Sequence, residues 1–111
     1  MKEDLLKIIN NYAVIPQLKY FQSEIFELNE SIIKREAVAG YETEYLNSHD
    51  KHIAEEIADV IVMLRQFQYY YGIEDEQIEG VMRYKINRQL ERIGNEKENR
   101  WFRKNSYTTT I

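Results

Sequence analysis

Apolar residues return at intervals of three and four through four successive stretches, and one proline and four glycines are all that interrupt 111 residues. That spacing belongs to helices with one buried face, not to strands, whose pattern alternates. So few turn-forming residues also exclude a turn-rich β sandwich or barrel. The first stretch, from about Glu3 to Ala13, sets Leu5, Leu6, Ile9 and Tyr12 on one side. Pro16 is placed to open the second, because a first-turn proline forfeits no hydrogen bond. That helix runs from about Pro16 to Val38 through Leu18, Phe21, Ile25, Leu28 and Ile32, and Gly40 stops it. Tyr41 to His49 reads as a polar, aromatic loop, with Asn47, Ser48 or Asp50 as caps for the third helix. The third, about Asp50 to Tyr71, is the most apolar: Ile53, Ile57, Val60, Ile61, Leu64, Phe67 and Tyr71. After Gly72 the acids Glu74, Asp75 and Glu76 favour the start of a fourth, which carries Ile78, Val81, Met82, Ile86, Leu90 and Ile93 to Gly94. The expected fold is all-α, a compact antiparallel bundle of about four helices over residues 1–94, with residues 95–111 as a basic, aromatic tail.

Length allows one domain and leaves much of its surface wet, which favours a partner subunit. The absence of cysteine removes disulfides, thiolate metal sites and a cysteine nucleophile. No apolar run approaches the roughly 20 residues that cross a bilayer. The start, MKEDLLKIINNY, carries acids where a secretory leader needs bases. The expectation is a cytoplasmic protein with no membrane contact. The net charge of −4 hides an asymmetry: residues 1–80 hold seven Lys or Arg against sixteen Asp or Glu, and residues 81–111 hold eight against three. An acidic body beside a basic last quarter suits a metal and an anion bound side by side, although a solvated surface with a basic tail explains the same charges.

The acids gain meaning from their place on the helices. At about 100° per residue, Glu24 lies roughly 70° and Glu27 roughly 130° from the centre of the second helix's apolar stripe. Glu56 and Asp59 sit at about the same offsets, in the same sense, on the third. If the two helices pack antiparallel, all four carboxylates converge on one edge of the pair. Such a cluster needs cations; hard divalent ions, magnesium above all, are its natural occupants, and manganese also fits. The alternative is that these are ordinary solvated residues beside a stripe. On the fourth helix Lys85, Arg88 and Arg92 share a flank and can contact a phosphate chain, or simply complement the helix dipole.

The segments SEIFELNESI and HIAEEIADVIVML resemble the all-α nucleoside triphosphate pyrophosphohydrolases, the MazG-like group. The family signature pairs ExxE with a later ExxD, matched here by Glu24-x-x-Glu27 and by Glu56-x-x-Asp59 with Glu55 before it and Val60 after it. MRYKINRQLERI is similar to the family's basic segment, so the likeness covers residues 17–93. The resemblance implies magnesium-dependent hydrolysis of a ribo- or deoxyribonucleoside triphosphate to the monophosphate and pyrophosphate. It implies Glu24, Glu27, Glu56 and Asp59 as metal ligands and Lys85, Asn87 and Arg88 as phosphate contacts. It further implies a homodimer or homotetramer. The family often has an acid just before the first ExxE; here that position is Ser23. Water activation must then fall to Glu27 or Glu55, or to the metal alone.

Other readings compete. His49 and His52, three apart, can bind a transition metal, but two histidines near a helix start are more often surface or capping residues. A di-iron bundle needs Glu-x-x-His on two helices, and the chain has none. Arg100, Arg103 and Lys104 interleave with Trp101, Phe102 and Tyr107, a pattern that suits single-stranded nucleic acid; docking of those rings on the bundle or on a neighbour is favoured over it. The rivals to an enzyme are a non-catalytic helical scaffold and, less favoured, a nucleic-acid-binding module. Tyr12, Tyr20, Phe21, Tyr41 and Trp101 are the candidates for contact with a base.

Overall fold

The computed structural model describes residues 1–109, with side chains through Trp101. The described residues form four helices and no strand: α1 (Lys2–Tyr12), α2 (Val14–Ala37), α3 (Thr43–Tyr70) and α4 (Asp75–Thr109). The all-α expectation therefore holds. The chain divides into two units, Met1–Ile73 with α1–α3 and Glu74–Ile111 with α4.

In the first unit α2 and α3 are antiparallel: Gln17 and Phe21 near the start of α2 meet Gln66 and Phe67 near the end of α3, whereas Arg35 near the end of α2 meets Asp50 near the start of α3. Their seam follows a strict three-four spacing. On α2 the least exposed residues are Val14, Gln17, Phe21, Glu24, Leu28, Ser31 and Arg35; on α3 they include Leu46, His49, Ile53, Glu56, Val60, Met63 and Phe67. This is the a/d rhythm of two helices packed at a shallow angle. The Phe21 and Phe67 rings meet edge to face at 5.7 Å, worth about 0.5–1.5 kcal/mol beyond their burial. At the far end Arg35 Nε donates to Asp50 at 2.6 Å, a partly exposed pair worth at most about 1 kcal/mol. α1 packs on α3 and, less, on α2. It buries Leu5 and Ile9, and the Lys2 ammonium lies 5.4 Å from the Tyr69 ring centre.

The seam is not the face that the apolar stripes mark. Leu18, Ile25 and Ile32 on α2, and Ile57, Ile61 and Leu64 on α3, stay exposed beside it, while polar residues (Gln17, Glu24, Ser31 and Arg35) occupy four of the seven α2 seam positions. The reason is rotational: two neighbouring residue rows compete for one interface, and the mixed row with Phe21, Leu28, Ile53, Val60 and Phe67 takes it.

Helix ends also differ from expectation. α3 begins at Thr43, so residues 43–49 are helix, and neither Asn47, Ser48 nor Asp50 caps it. Tyr41, Tyr45 and His49 meet ring to ring at successive four-residue steps, the first pair tilted and the second edge to face, with ring centres 5.8 and 4.8 Å apart, and Leu46 joins the seam. These side-chain pairs outweigh the weak helix propensity of the stretch. α4 runs through Gly94 to Thr109. A glycine stops a helix when it takes a left-handed turn, and of the described glycines only Gly72 has positive φ. There Gly72 N–H donates to Tyr69 and Ile73 N–H to Gln68, closing α3 with a Schellman turn. α4 opens with Gln77 reaching back to the Glu74 N–H at 2.9 Å, half of a capping box. Of the tail's candidate side chains, Trp101 is exposed; those of Phe102, Arg103, Lys104 and Tyr107 lie outside the described residues. No described helix is long and apolar enough to cross a membrane.

Candidate functional site

Midway along the seam, carboxylates stand where a coiled pair ordinarily places leucine. Glu24 is only 5% exposed and Glu56 8%, since both occupy seam positions. Glu27, one turn beyond Glu24 and on the wet edge, completes a group whose oxygens lie within 4.8 Å of one another. Asp59 stands one turn beyond Glu56, exposed, and lines a cavity together with Glu24. The antiparallel register produces this convergence, as 24 and 27 on one helix run opposite 59 and 56 on the other.

Each buried acid has one oxygen held by the residue four before it. The Tyr20 hydroxyl hydrogen-bonds Glu24, which together with that carboxylate's charge pushes the phenol's pKa up. His52 Nε2 lies 3.5 Å from Glu56 Oε1. The second oxygen of each, Oε2 of Glu24 and Oε2 of Glu56, is buried with no hydrogen-bond partner. Burial pushes the Glu56 pKa above the ordinary 4.5; the charge of Glu27 adds to this, His52 opposes it, and Asp59 and Glu24 contribute further. A bare buried carboxylate oxygen is costly, and two of them in a group of three acids cost more. A divalent cation in that gap would answer both oxygens at once, with oxygen donors of the type that magnesium and manganese take.

The other predicted residues are placed as follows. Glu55 is largely exposed, with its carboxylate 3.9 Å from His52 Nδ1. Lys85, Asn87 and Arg88 are exposed on α4, in the second unit, within one turn of each other. His49 and His52 do not act together: the first packs on Tyr45, the second turns to Glu55 and Glu56.

A cavity of about 620 Å³ opens between α1, α2 and α3, with Glu24 and Asp59 at one end and Gln17 and Gln66 at the other. Ile8, Tyr12, Pro16 and Val62 form its wall. Ala13, which joins α1 to α2, has φ 72° and ψ 160°, backbone that is essentially glycine's own. It turns the chain so that Tyr12 and Pro16, on either side, both reach the cavity. Sequence reasoning found Tyr12 and Tyr20 but missed Gln17 and Gln66. Polar residues in a helical row read as surface unless their three-four interleaving with Val14, Phe21 and Leu28 is noticed. Compared with protein-family models, curated proteins and solved structures, the chain finds no match.

Proposed function

We propose that the chain is a magnesium-dependent nucleotide pyrophosphohydrolase that splits a nucleoside triphosphate into monophosphate and pyrophosphate. One observation carries this: two buried, unpartnered carboxylate oxygens, from Glu24 and Glu56, inside a group of three acids. A protein gains nothing in stability from burying such oxygens bare, so their retention points to a cation. The nature of the reaction comes from the likeness of ExxE and EExxD to the MazG-like family.

Glu24, Glu27 and Glu56 would hold the metal, with Asp59 at its edge. Magnesium supplies Lewis acidity at phosphoryl oxygens and lowers the pKa of bound water. Tyr20 and His52 orient the two buried carboxylates by occupying one oxygen of each, the supporting role that second-layer groups play at metal sites. Glu27 is the better-placed base: it is exposed and belongs to the carboxylate group, whereas Glu55 is turned to His52. Ser23, standing where the family often has an acid, leaves that duty to Glu27. Lys85, Asn87 and Arg88 would contact phosphates. The exposed rows Leu18, Ile25 and Ile32, and Ile57, Ile61 and Leu64, are surfaces on which copies of the chain would self-associate as a dimer or tetramer.

The test is product analysis. The protein is incubated with ribo- and deoxyribonucleoside triphosphates and magnesium, and products are resolved by phosphorus NMR. Equimolar monophosphate and pyrophosphate, lost with a chelator and in Glu56→Gln, is the expected result. Diphosphate with phosphate, or no turnover of any triphosphate with magnesium or manganese, would overturn the assignment and favour a helical scaffold.

A further inference from the structure

Gln66 is 2% exposed and Gln17 8%, yet both line the cavity between α1, α2 and α3. Gln17 Nε2 donates to Gln66 Oε1 at 2.8 Å, and Gln66 Nε2 donates to the Met63 thioether at 3.6 Å. Sulfur is a weak acceptor, so the second bond is easily exchanged for a better one. Each amide also keeps a second N–H, and the Gln17 carbonyl oxygen is an acceptor that neither bond uses. Two buried amides thus hold each other rigidly and present spare donors next to a spare acceptor.

The rest of the cavity restricts what those groups can read. Its wall of Ile8, Pro16, Val62 and the Tyr12 ring suits a flat, uncharged body. Glu24 and Asp59 at its other end repel an anion inside it. A purely apolar occupant would leave the amide groups desolvated without partners. Gln17 and Gln66 each stand seven residues, two helical turns or about 10 Å, from Glu24 and Asp59 respectively. That is about the reach of a base and its sugar.

We propose that the Gln17–Gln66 pair is the base-reading element of the site, and that the cavity takes a nucleobase through an edge that sets a donor beside an acceptor. This rests on the nucleotide assignment above and extends it to the residues that choose the substrate. Such paired contacts discriminate between bases by on the order of tenfold or more. Tyr12 closes the wall, and the strained turn at Ala13 holds it there.

The probe is a set of bare nucleosides, which carry no phosphate and need no metal. Labelled protein in metal-free buffer is titrated with uridine, cytidine, adenosine, guanosine and their deoxy forms. The side-chain amide signals of Gln17 and Gln66 and the methyl signal of Met63 are followed, with ribose as control. Saturable shifts at all three with at least one nucleoside, none with ribose, are expected. The Met63 shift should vanish in Gln17→Leu combined with Gln66→Met, which removes both amides together and so strands neither. In the hydrolysis assay the same double variant should flatten kcat/KM across bases to within about threefold. Gln66→Glu, which keeps the size and changes the donor set, should change which base is preferred. Shifts confined to other residues, or none with any nucleoside while triphosphates are hydrolysed, would overturn the base-reading role and leave the carboxylate assignment standing. Nucleoside shifts without hydrolysis of any nucleotide would support the cavity assignment and remove the hydrolase one.

Discussion

Replacing Glu24 by glutamine should stabilise the metal-free protein, although it alters one of the most buried side chains of the seam. Glu24 and Glu27 offer oxygens within 4.8 Å of each other. At an effective dielectric of about 20, two unit charges at that distance repel by about 3.5 kcal/mol. Water at the exposed Glu27 reduces this, so a net gain of about 1–2 kcal/mol is expected from removing the charge while keeping the shape. The introduced amide also adds a donor to a group in which Glu56 Oε2 is buried without one. In a unit of this size each kcal/mol is worth about 4–8 °C in Tm. Magnesium should reverse the order. At a hundred times its dissociation constant it adds about 2.7 kcal/mol to the wild type, and far less to E24Q. The assay is thermal or urea unfolding of both proteins with chelator and with magnesium. A loss of 1 kcal/mol or more by E24Q in chelator would refute the reasoning, because Glu24 would then be a satisfied packing residue.

Three further outcomes follow from the same structure. Because burial and the charge of Glu27 hold the Glu56 pKa above 4.5, the folded state binds a proton there more readily than the unfolded chain. Its contribution to stability is therefore full below 4.5 and is lost as pH rises through the raised value; the stability of Glu56→Gln minus that of wild type, measured by urea unfolding without metal, should grow across that window. Ala13→Gly should raise stability by about 1 kcal/mol, the relief of φ 72° less the extra freedom of an unfolded glycine, read from the urea midpoint. Gly72→Ala should cost about 1 kcal/mol in the same measurement, all of it backbone, since a Cβ there meets nothing within 4 Å.

The helices were legible because their apolar periodicity is long; Gly72 was read correctly as a stop because it takes the left-handed turn, whereas Gly94, at the end of the next stripe, lies inside α4. The convergence of Glu24, Glu27 and Glu56 was legible for a related reason, as equal offsets on two antiparallel helices must meet. What the stripes concealed was the seam itself. Leu18, Ile25 and Ile57 mark the greasier row, but the helices meet along the neighbouring row, where Phe21, Leu28 and Val60 alternate with Gln17, Glu24 and Glu56. Hydrophobicity ranks rows by apolar content, whereas packing within one chain also depends on which row the connections allow to face inward. The start of α3 was hidden because its support, the Tyr41–Tyr45–His49 ring contacts, comes from side-chain pairs and not from propensity. The Gln17–Gln66 bond spans 49 positions and has no local signature. Ala13 is hidden for the opposite reason, since its strain exists only in the folded chain.

The most direct measurement is titration of metal-free protein with manganese, read by paramagnetic broadening of side-chain signals in wild type and E24Q. One saturable site per chain is predicted, broadening Glu24, Glu27 and Glu56 first and Tyr20 and His52 next, displaced by magnesium and lost in E24Q. No saturable binding, or broadening centred on other acids, would contradict the claim that these buried carboxylates form a cation site.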